Sequence, residues 1–109
     1  MDQSQVTKLI HSLGDVVEDH DTREHLILFR TKANKKICAI IYGGSSPLRI
    51  EAKCDQRLAK VLRAKYETVL PSHNMDGRTW NEIICSGQLS EQQIKDLLTH
   101  SYNLVTAAA

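Results

Sequence analysis

Two short apolar runs constrain the fold of this chain more strongly than any other feature of its sequence. Leu26–Thr31 and Ile37–Tyr42 are rich in residues that favour β-strands, and a polar segment containing Asn34 separates them. This pattern predicts a β-hairpin. Because both runs are apolar on both faces, we expect the two strands to lie in the centre of a sheet.

A third strand is predicted over Leu48–Lys53, where apolar and charged residues alternate. The charged members, Arg49, Glu51 and Lys53, are expected to face solvent, while the apolar members meet the core. The glycine-rich connection before this strand, residues 43–47, has the composition of a turn. A phosphate-binding loop would require a helix after it, so the strand argues against such a loop.

The first and last helices are predicted from apolar residues at helical spacing and from their end signals. The first covers residues 4–13, and Gly14 after it is expected in the left-handed conformation that ends helices. The last begins at Ser90, where Gln93 is placed to complete a capping box. We expect it to fray within residues 106–109.

A second helix is predicted between these two, from an N-cap at Asp55 to about residue 65. Its apolar stripe is expected to comprise Leu58, Val61, Leu62 and Tyr66. A further short strand, Trp80–Cys85, follows it. The order of all these elements predicts an α+β fold, a two-layer sandwich in which helices pack on one face of an antiparallel sheet.

Size and composition indicate one compact domain. The chain has 109 residues, of which 41% are hydrophobic and 25% charged, and these values fit a single domain over residues 1–109. No run of about 18 apolar residues is present, so no membrane association is expected. Residues 1–12 alternate polar and apolar side chains, unlike a signal peptide, and this predicts a cytoplasmic protein. We expect it to be a monomer.

The three cysteines, Cys38, Cys54 and Cys85, are scattered along the chain without a Cys-x-x-Cys pair. Their odd number and spacing argue against a disulfide framework and against a cysteine-based zinc site. We expect them to be small buried apolar residues.

Charge is distributed unevenly, although the formal net charge is only +1. Residues 1–25 carry about −4, residues 26–80 about +7, and the remainder about −2. A basic middle segment favours a polyanionic partner, but a nearly neutral whole gives weak long-range attraction. The charge pattern therefore gives mild support to nucleic-acid binding.

Residues 71–81 place the single tryptophan, Trp80, after a turn and directly before a strand. A lone indole at a strand start usually fills the core, whereas base-stacking domains display several aromatic rings, so we expect Trp80 to be buried. His73, Asn74 and Asp76 are expected to shape the turn through side-chain to backbone bonds. Gly77 is expected to adopt a conformation that other residues resist.

Several segments together resemble the MmcQ/YjbR-like family of small bacterial proteins. They are Pro47-Leu-Arg-Ile-Glu-Ala-Lys-Cys-Asp55, Arg78-Thr-Trp-Asn81, Ser90 and Thr99-His-Ser-Tyr102. The resemblance covers roughly residues 26–106 in order and is strongest from Leu48 onward. The resemblance implies a CyaY-like fold, that of frataxin and its bacterial counterparts. It also implies predicted DNA binding, a function assigned to the family by structural analogy.

Six basic residues are the candidates for nucleic-acid binding. They are Lys35, Lys36, Arg49, Lys53, Arg57 and Arg78. Cationic side chains contact phosphates and give salt-dependent, largely sequence-neutral affinity. The alternative is an ordinary solvated surface whose lysines also discourage edge-to-edge strand pairing. The leading hypothesis is a non-enzymatic binding module with weak affinity for DNA.

Two other functions stay open. The first is a protein-interaction adaptor whose solvent-facing sheet or basic patch meets an acidic partner. The second is a divalent-metal handler, because residues 15–25 concentrate carboxylates and histidines, although without fixed ligand spacing. No catalytic motif is present, since nothing in the spacing brings His73 or His100 to a cysteine, and we expect neither an enzyme nor a cofactor. His100 is expected to pack or cap near the sheet edge.

Overall fold

The computed structural model of the protein describes residues 1–107, which form three helices and six strands. In chain order these are α1 (Gln3–Leu13), β1 (Val16–Asp21), β2 (Leu26–Thr31), β3 (Ile37–Tyr42), β4 (Leu48–Lys53), α2 (Gln56–Lys65), β5 (Val69–Pro71), β6 (Trp80–Cys85) and α3 (Glu91–Ala107). The predicted fraying of the last helix is wrong at residues 106–107, which remain helical, and residues 108–109 lie outside the described part of the chain.

The six strands form one antiparallel sheet with the order β1-β2-β3-β4-β6-β5. The predicted hairpin is confirmed, since β2 pairs with β3, and the two strands are interior members of the sheet. An irregularity in this pairing between Phe29 and Arg30 inserts one extra residue on β3. The remaining edges are β1 and the three-residue β5.

All three helices pack on one face of the sheet, which confirms the α+β sandwich. The core between the layers is built from alternate strand residues such as Phe29, Ile41 and Ile50, together with Ile10 of α1 and Leu98 of α3. Burying such side chains contributes about 1.5–3 kcal/mol each. None of the helices in residues 1–107 has the length and apolarity needed to cross a membrane.

The predicted helix starts are confirmed by their caps. The Asp55 carboxylate accepts a hydrogen bond from the Arg57 amide at 3.0 Å. Ser90 and Gln93 exchange the two bonds of a capping box, at 2.7 and 3.1 Å. These bonds satisfy amides that a helix start leaves unpaired, so α2 and α3 begin where the sequence predicts.

Gly14 does not adopt the left-handed conformation that was predicted, because its φ of 164° is extended backbone. The glycine makes room for a neighbouring side chain. A Cβ at this position would lie 1.9 Å from the Tyr102 hydroxyl oxygen, so a larger residue would require the Tyr102 side chain of α3 to shift.

The apolar stripe predicted for α2 is only partly correct. Ala59 is fully buried and Leu62 and Tyr66 pack against the core, but Leu58 is 37% and Val61 58% exposed. The helix contacts the sheet mainly at β5, a three-residue edge strand, and this narrow contact leaves part of its apolar surface uncovered.

Candidate functional site

The sheet face opposite the helices is partly covered by residues 72–79, which we call the covering loop. Antiparallel partners point to the same face, so β4 and β6 place the pairs Glu51–Glu82 and Lys53–Trp80 on this side. Glu51 and Glu82 are fully buried. The prediction that Glu51 faces solvent is therefore wrong. Glu51 does point to the face away from the helices, as the alternation of β4 predicts, but the covering loop closes over it.

Glu51 is the anchor of the covering loop. Its carboxylate accepts a hydrogen bond from the Ser72 hydroxyl and bonds of 2.6 Å from both the Tyr42 hydroxyl and the Asn74 amide. Ser72 in turn accepts the backbone N–H groups of Asn74 and Met75, at 3.1 and 2.9 Å. One buried carboxylate thus fixes the loop where it crosses the sheet.

The second buried carboxylate, Glu82, is paired with Arg49. The same guanidinium lies 4.5 Å from the centre of the Tyr42 ring, in cation–π geometry. Burial, and next the bond to Glu51, raises the pKa of the Tyr42 hydroxyl above its usual range. The hydroxyl therefore stays protonated and serves as a donor. We call Tyr42, Arg49, Glu51, Ser72, Asn74 and Glu82 the polar cluster.

The far half of the covering loop is closed by its own hydrogen bonds. The backbone carbonyl of Asp76 accepts N–H groups from Thr79 and Trp80, at 3.1 and 2.9 Å, and the Asp76 carboxylate accepts the Arg78 amide at 3.0 Å. The predicted role of Asp76 in shaping the turn is confirmed. Asn74 instead uses its side chain to bond Tyr42 and Glu51, which the sequence prediction missed.

Gly77 is not in the left-handed region either, contrary to prediction, since within residues 1–107 the glycines with a φ between +20° and +160° are Gly44 and Gly87. Close packing explains it better. A Cβ on Gly77 would approach Pro71 Cβ and the Ser72 carbonyl oxygen to 3.3 Å each, and the Gly77 carbonyl accepts a bond from Arg63 of α2.

A groove lies next to the polar cluster, at the sheet end where β2 ends and β3 begins. It has a volume of about 280 Å³ and is lined by three basic side chains and four apolar ones. These are Arg30, Lys36, Ile37, Lys53, Met75, Trp80 and Val105, which we call the basic groove. The antiparallel order brings the end of β4 and the start of β6 to the same place. Sheet topology therefore gathers charges that are distant in sequence.

Two polar side chains hold the groove walls against α3. Ser101 of α3 accepts the Lys53 backbone N–H at 2.8 Å and donates to the Cys38 carbonyl at 2.7 Å. Asn34, in the turn between β2 and β3, donates to the Val105 carbonyl at 3.0 Å and accepts the Lys36 N–H at 3.1 Å. The backbone carrying both lysines is thereby fixed to the last helix.

The basic groups of the groove differ in how strongly they are engaged. Arg30 contacts the Asp19 carboxylate at 3.4 Å and the Lys35 carbonyl at 3.3 Å, both long bonds. The Lys53 ammonium has no hydrogen bond or ion pair within residues 1–107. Its charge does reach Asp76, whose pKa is lowered chiefly by the bonds from Arg78 and to a smaller degree by Lys53.

Only two of the six predicted site residues, Lys36 and Lys53, lie in the basic groove. Arg49 is occupied with Glu82, and Arg78 is a surface side chain paired with Asp76. Lys35 and Arg57 are exposed on the β2–β3 turn and at the start of α2. The structure thus separates the candidates into a pair that converges and four that do not.

Arg30 is the groove residue that sequence reasoning missed. It is the single charged residue of an otherwise apolar β2, and it stands opposite Ile37 across the hairpin. A lone charge in a central strand was the available signal, because a buried strand tolerates arginine only where its head group can reach an opening or a partner.

Trp80 is 5% exposed, so the prediction that it is buried is confirmed. It lies on the sheet face away from the helices, as the strand partner of Lys53, and contributes to the groove lining. Its ring is therefore held rigidly against the sheet rather than displayed.

The cysteines and His100 occupy structural positions. Burial raises the pKa of the Cys38 and Cys54 thiols to about 11 and also raises that of Cys85, so all three remain protonated thiols near neutral pH. His100 accepts the Asp55 backbone N–H at 3.2 Å, which confirms its predicted capping role. No disulfide joins the cysteines in the described residues.

The sequence predicts no strand in the acidic segment, yet residues 16–21 form β1. Its charges sit on an edge strand whose side chains are mostly exposed, so the strand can pair with β2 without burying these charges. Glu18 bridges two histidines, with 2.6 Å to His11 Nε2 and 2.9 Å to His20 Nε2. These bonds lower the Glu18 pKa, mostly through His11.

Metal ligation finds no support at this edge. Among residues 1–107 no group of three or more histidine, cysteine, aspartate or glutamate side chains is arranged to hold a metal ion. A cleft of about 310 Å³ does lie beside the β1–β2 turn, lined in part by His20, Asp21 and His25. Asp21 is the one carboxylate among the described residues that line it.

Comparison with known proteins agrees with this architecture. A crystal structure of a Deinococcus radiodurans protein with a DUF419 domain superimposes with a TM-score of 0.86 at 19% identity, covering 94% of this chain and 77% of that one. A Pseudomonas syringae protein gives 0.80 in a crystal structure, at 22% identity and covering 95% and 98% of the two chains. These likenesses show the fold.

The solution structure of a Pseudomonas syringae protein gives a TM-score of 0.75, again at 22% identity, and covers 95% of this chain and 92% of that one. No functionally curated protein matches the sequence. The model of the YjbR family, in contrast, matches residues 11–104. That match spans most of the chain, and the protein belongs to the YjbR family.

Proposed function

We propose that this YjbR-family protein is a non-enzymatic, cytoplasmic binding module that holds nucleic acid weakly at the basic groove. The observation that carries the proposal is the convergence of Arg30, Lys36 and Lys53 on one concavity, although they come from three separate segments. Two of these residues were candidates from the sequence alone.

The physical case rests on how the carboxylates near the groove are engaged. Glu51 and Glu82, on β4 and β6, are buried and bonded to partners in the polar cluster. The exposed carboxylates of Asp19 and Asp76 are paired with Arg30 and Arg78, so each is already matched by a cation. Lysine and arginine contacts to phosphate release condensed counterions and so drive association.

Affinity is expected to be low and strongly dependent on salt. Three phosphate contacts give a salt slope of about −2 to −3, so raising salt from about 50 to 200 mM weakens binding roughly 20- to 40-fold. Titration of a labelled oligonucleotide at the two salt concentrations, followed by fluorescence anisotropy, measures this slope. An absence of binding at low salt would sink the proposal.

A paired charge reversal locates the site. Lys36→Glu with Lys53→Glu is expected to weaken low-salt binding by about tenfold or more and to reduce the salt slope by about two, one for each lost phosphate contact. Lys95→Glu, on the exposed surface of α3, is the matched control and should leave the slope nearly unchanged. Equal effects of both changes would show that binding is not at the groove.

A second candidate function, a protein-interaction adaptor, is favoured by the uncovered side of α2. Leu58 and Val61 are exposed there beside Arg57 and Lys60, a combination suited to an acidic partner with an apolar anchor. A purified partner would then stay bound in excess competitor DNA and be released by Val61→Asp. Loss of the partner to competitor DNA would instead assign the contact to the basic groove.

A further inference from the structure

The basic groove is more apolar than a phosphate-binding surface needs to be. Four of its seven lining residues are apolar. Ile37 and Met75 are partly exposed, whereas Trp80 and Val105 are 5% and 2% exposed and add little surface. A double helix presents its phosphates outward and keeps its base faces stacked inside, so a duplex would leave this lining without a partner. The lining suits a ligand that brings an anion and a flat apolar group together.

We propose that the groove takes one unstacked base of a single-stranded nucleic acid, with the adjoining phosphates on Arg30, Lys36 and Lys53. This inference rests on the nucleic-acid binding proposed above and names the form of the polymer. Single-strand binding sites combine a cationic track with surfaces that cover the face of a base. Here the three cations stand beside Met75 and Ile37, which are partly exposed and can cover one face of a base.

The size of the groove supports one base rather than several. Its volume of about 280 Å³ lies just below the range of roughly 300–1,000 Å³ that encloses drug-sized ligands. Lys53 is the direct strand partner of Trp80, so an ammonium group and the indole come from neighbouring positions of the sheet. A nucleotide likewise has its phosphate a short distance from its base.

The groove is also prepared before any ligand arrives. The Met75 backbone N–H is held by Ser72, which is itself held by the buried Glu51 carboxylate. Trp80 is fixed by its backbone bond to Asp76 and by its place in β6. Preorganised walls lose little conformational entropy on binding, and this favours a small contact that would otherwise be too weak.

The test compares three labelled polymers of equal length by fluorescence anisotropy at low salt. They are a homopyrimidine strand, its blunt-ended duplex, and an abasic strand that has the same phosphates without bases. We expect the homopyrimidine strand to bind at least about fivefold more tightly than the abasic strand, since stacking of one base supplies this factor. The duplex should bind with about the same affinity per phosphate as the abasic strand, because neither offers an unstacked base.

Met75→Ala is expected to remove about two-thirds of the binding to the homopyrimidine strand while leaving the duplex and the abasic strand unchanged. Val61→Ala, which trims an exposed apolar residue of α2, is the matched control. Equal binding of all three polymers, or equal losses on all three with Met75→Ala, would overturn this inference and leave polyanion binding intact. No binding to any of them would overturn the proposed function itself.

Discussion

The protein places carboxylates in two contrasting settings on one sheet. Under the covering loop, the Glu82 side chain is 2% exposed and is matched by Arg49. At the β1 edge, the Glu18 side chain is 29% exposed and lies between His11 and His20, both of them open to solvent. Under the covering loop, loss of Arg49 would leave the Glu82 carboxylate without its ion-pair partner. At the β1 edge, water can replace either histidine as a partner of Glu18.

This difference explains how a nearly neutral chain presents a basic groove. The carboxylates of β4 and β6 close to the groove are bonded in the protein interior, while those of Glu18, Asp19 and Glu24 on β1 and the turn after it are exposed. Charge is therefore separated by burial as well as by position in the sequence. Variants that remove a partner from the buried carboxylates and from the exposed ones test this separation directly.

The largest effect is expected from Arg49→Met. The Arg49 side chain is 41% exposed but the Glu82 carboxylate is only 2% exposed, so the change leaves a buried charge without its partner, at a cost of about 3 kcal/mol of unfolding free energy. Arg30→Met is the matched change at an exposed pair, where Asp19 lies 3.4 Å away and is 58% exposed, and it should cost less than about 1 kcal/mol. Urea denaturation of both variants measures the contrast.

A second substitution distinguishes the loss of attraction between Arg49 and Glu82 from the cost of leaving Glu82 buried without a partner. In Arg49→Met with Glu82→Met, neither charge remains, so most of the lost stability should return. Equal losses of unfolding free energy in the single and double variants would mean that the loss comes from the missing attraction between the two charges and not from an unpaired Glu82 carboxylate. Equal destabilisation by Arg49→Met and Arg30→Met would remove the distinction between covered and open settings.

An intermediate effect is expected from Glu51→Ala. The Ser72, Asn74 and Tyr42 donors lose their common acceptor, which costs about 2 kcal/mol, less than the sum because water can reach the freed loop. Amide hydrogen exchange at Asn74 and Met75 should accelerate, since Ser72 no longer holds their N–H groups in place. Glu18→Ala should cost less than about 1 kcal/mol.

Unchanged exchange at Asn74 and Met75 in Glu51→Ala would show that the loop is held by its other contacts alone. Those contacts are the bonds to the Asp76 carbonyl and the bond from Arg63 to Gly77. The same variant also bears on the groove, because a released Met75 should weaken binding of a single strand more than that of a duplex.

The architecture could be predicted from the sequence where local signals and burial agree. The two apolar runs became interior strands, and the caps at Asp55 and Ser90 set the helix starts. Strand β1 escaped prediction because an edge strand can be acidic, its stability coming from backbone pairing with β2 instead of burial. Its charges resemble those of a loop.

The candidate site was predictable only in part, because it depends on contacts between distant segments. Lys36 and Lys53 were identified by charge, but nothing local shows that Arg30 joins them. Likewise, the alternation of β4 assigns Glu51 to the outer face correctly, while its burial depends on Ser72 and Asn74 folding back over the sheet. A loop that covers a face leaves no periodic signal in the strand beneath it.

The smallest expected effect is a pH dependence at the open setting. The hydrogen bond to His11 is the main cause of a lowered Glu18 pKa, with ordinary value 4.5. A carboxyl whose pKa is lower in the folded protein stabilises it above the unfolded value, and this contribution is lost as the pH falls through the folded value. Between neutral pH and the acid limb, Glu18→Gln should therefore lose less stability than the wild type, by under about 1 kcal/mol because solvent screens the site. Chemical denaturation across this range measures it, with Glu24→Gln in the exposed turn after β1 as control. Parallel profiles for the wild type and Glu18→Gln would show that the histidine bonds at this edge contribute nothing to folding.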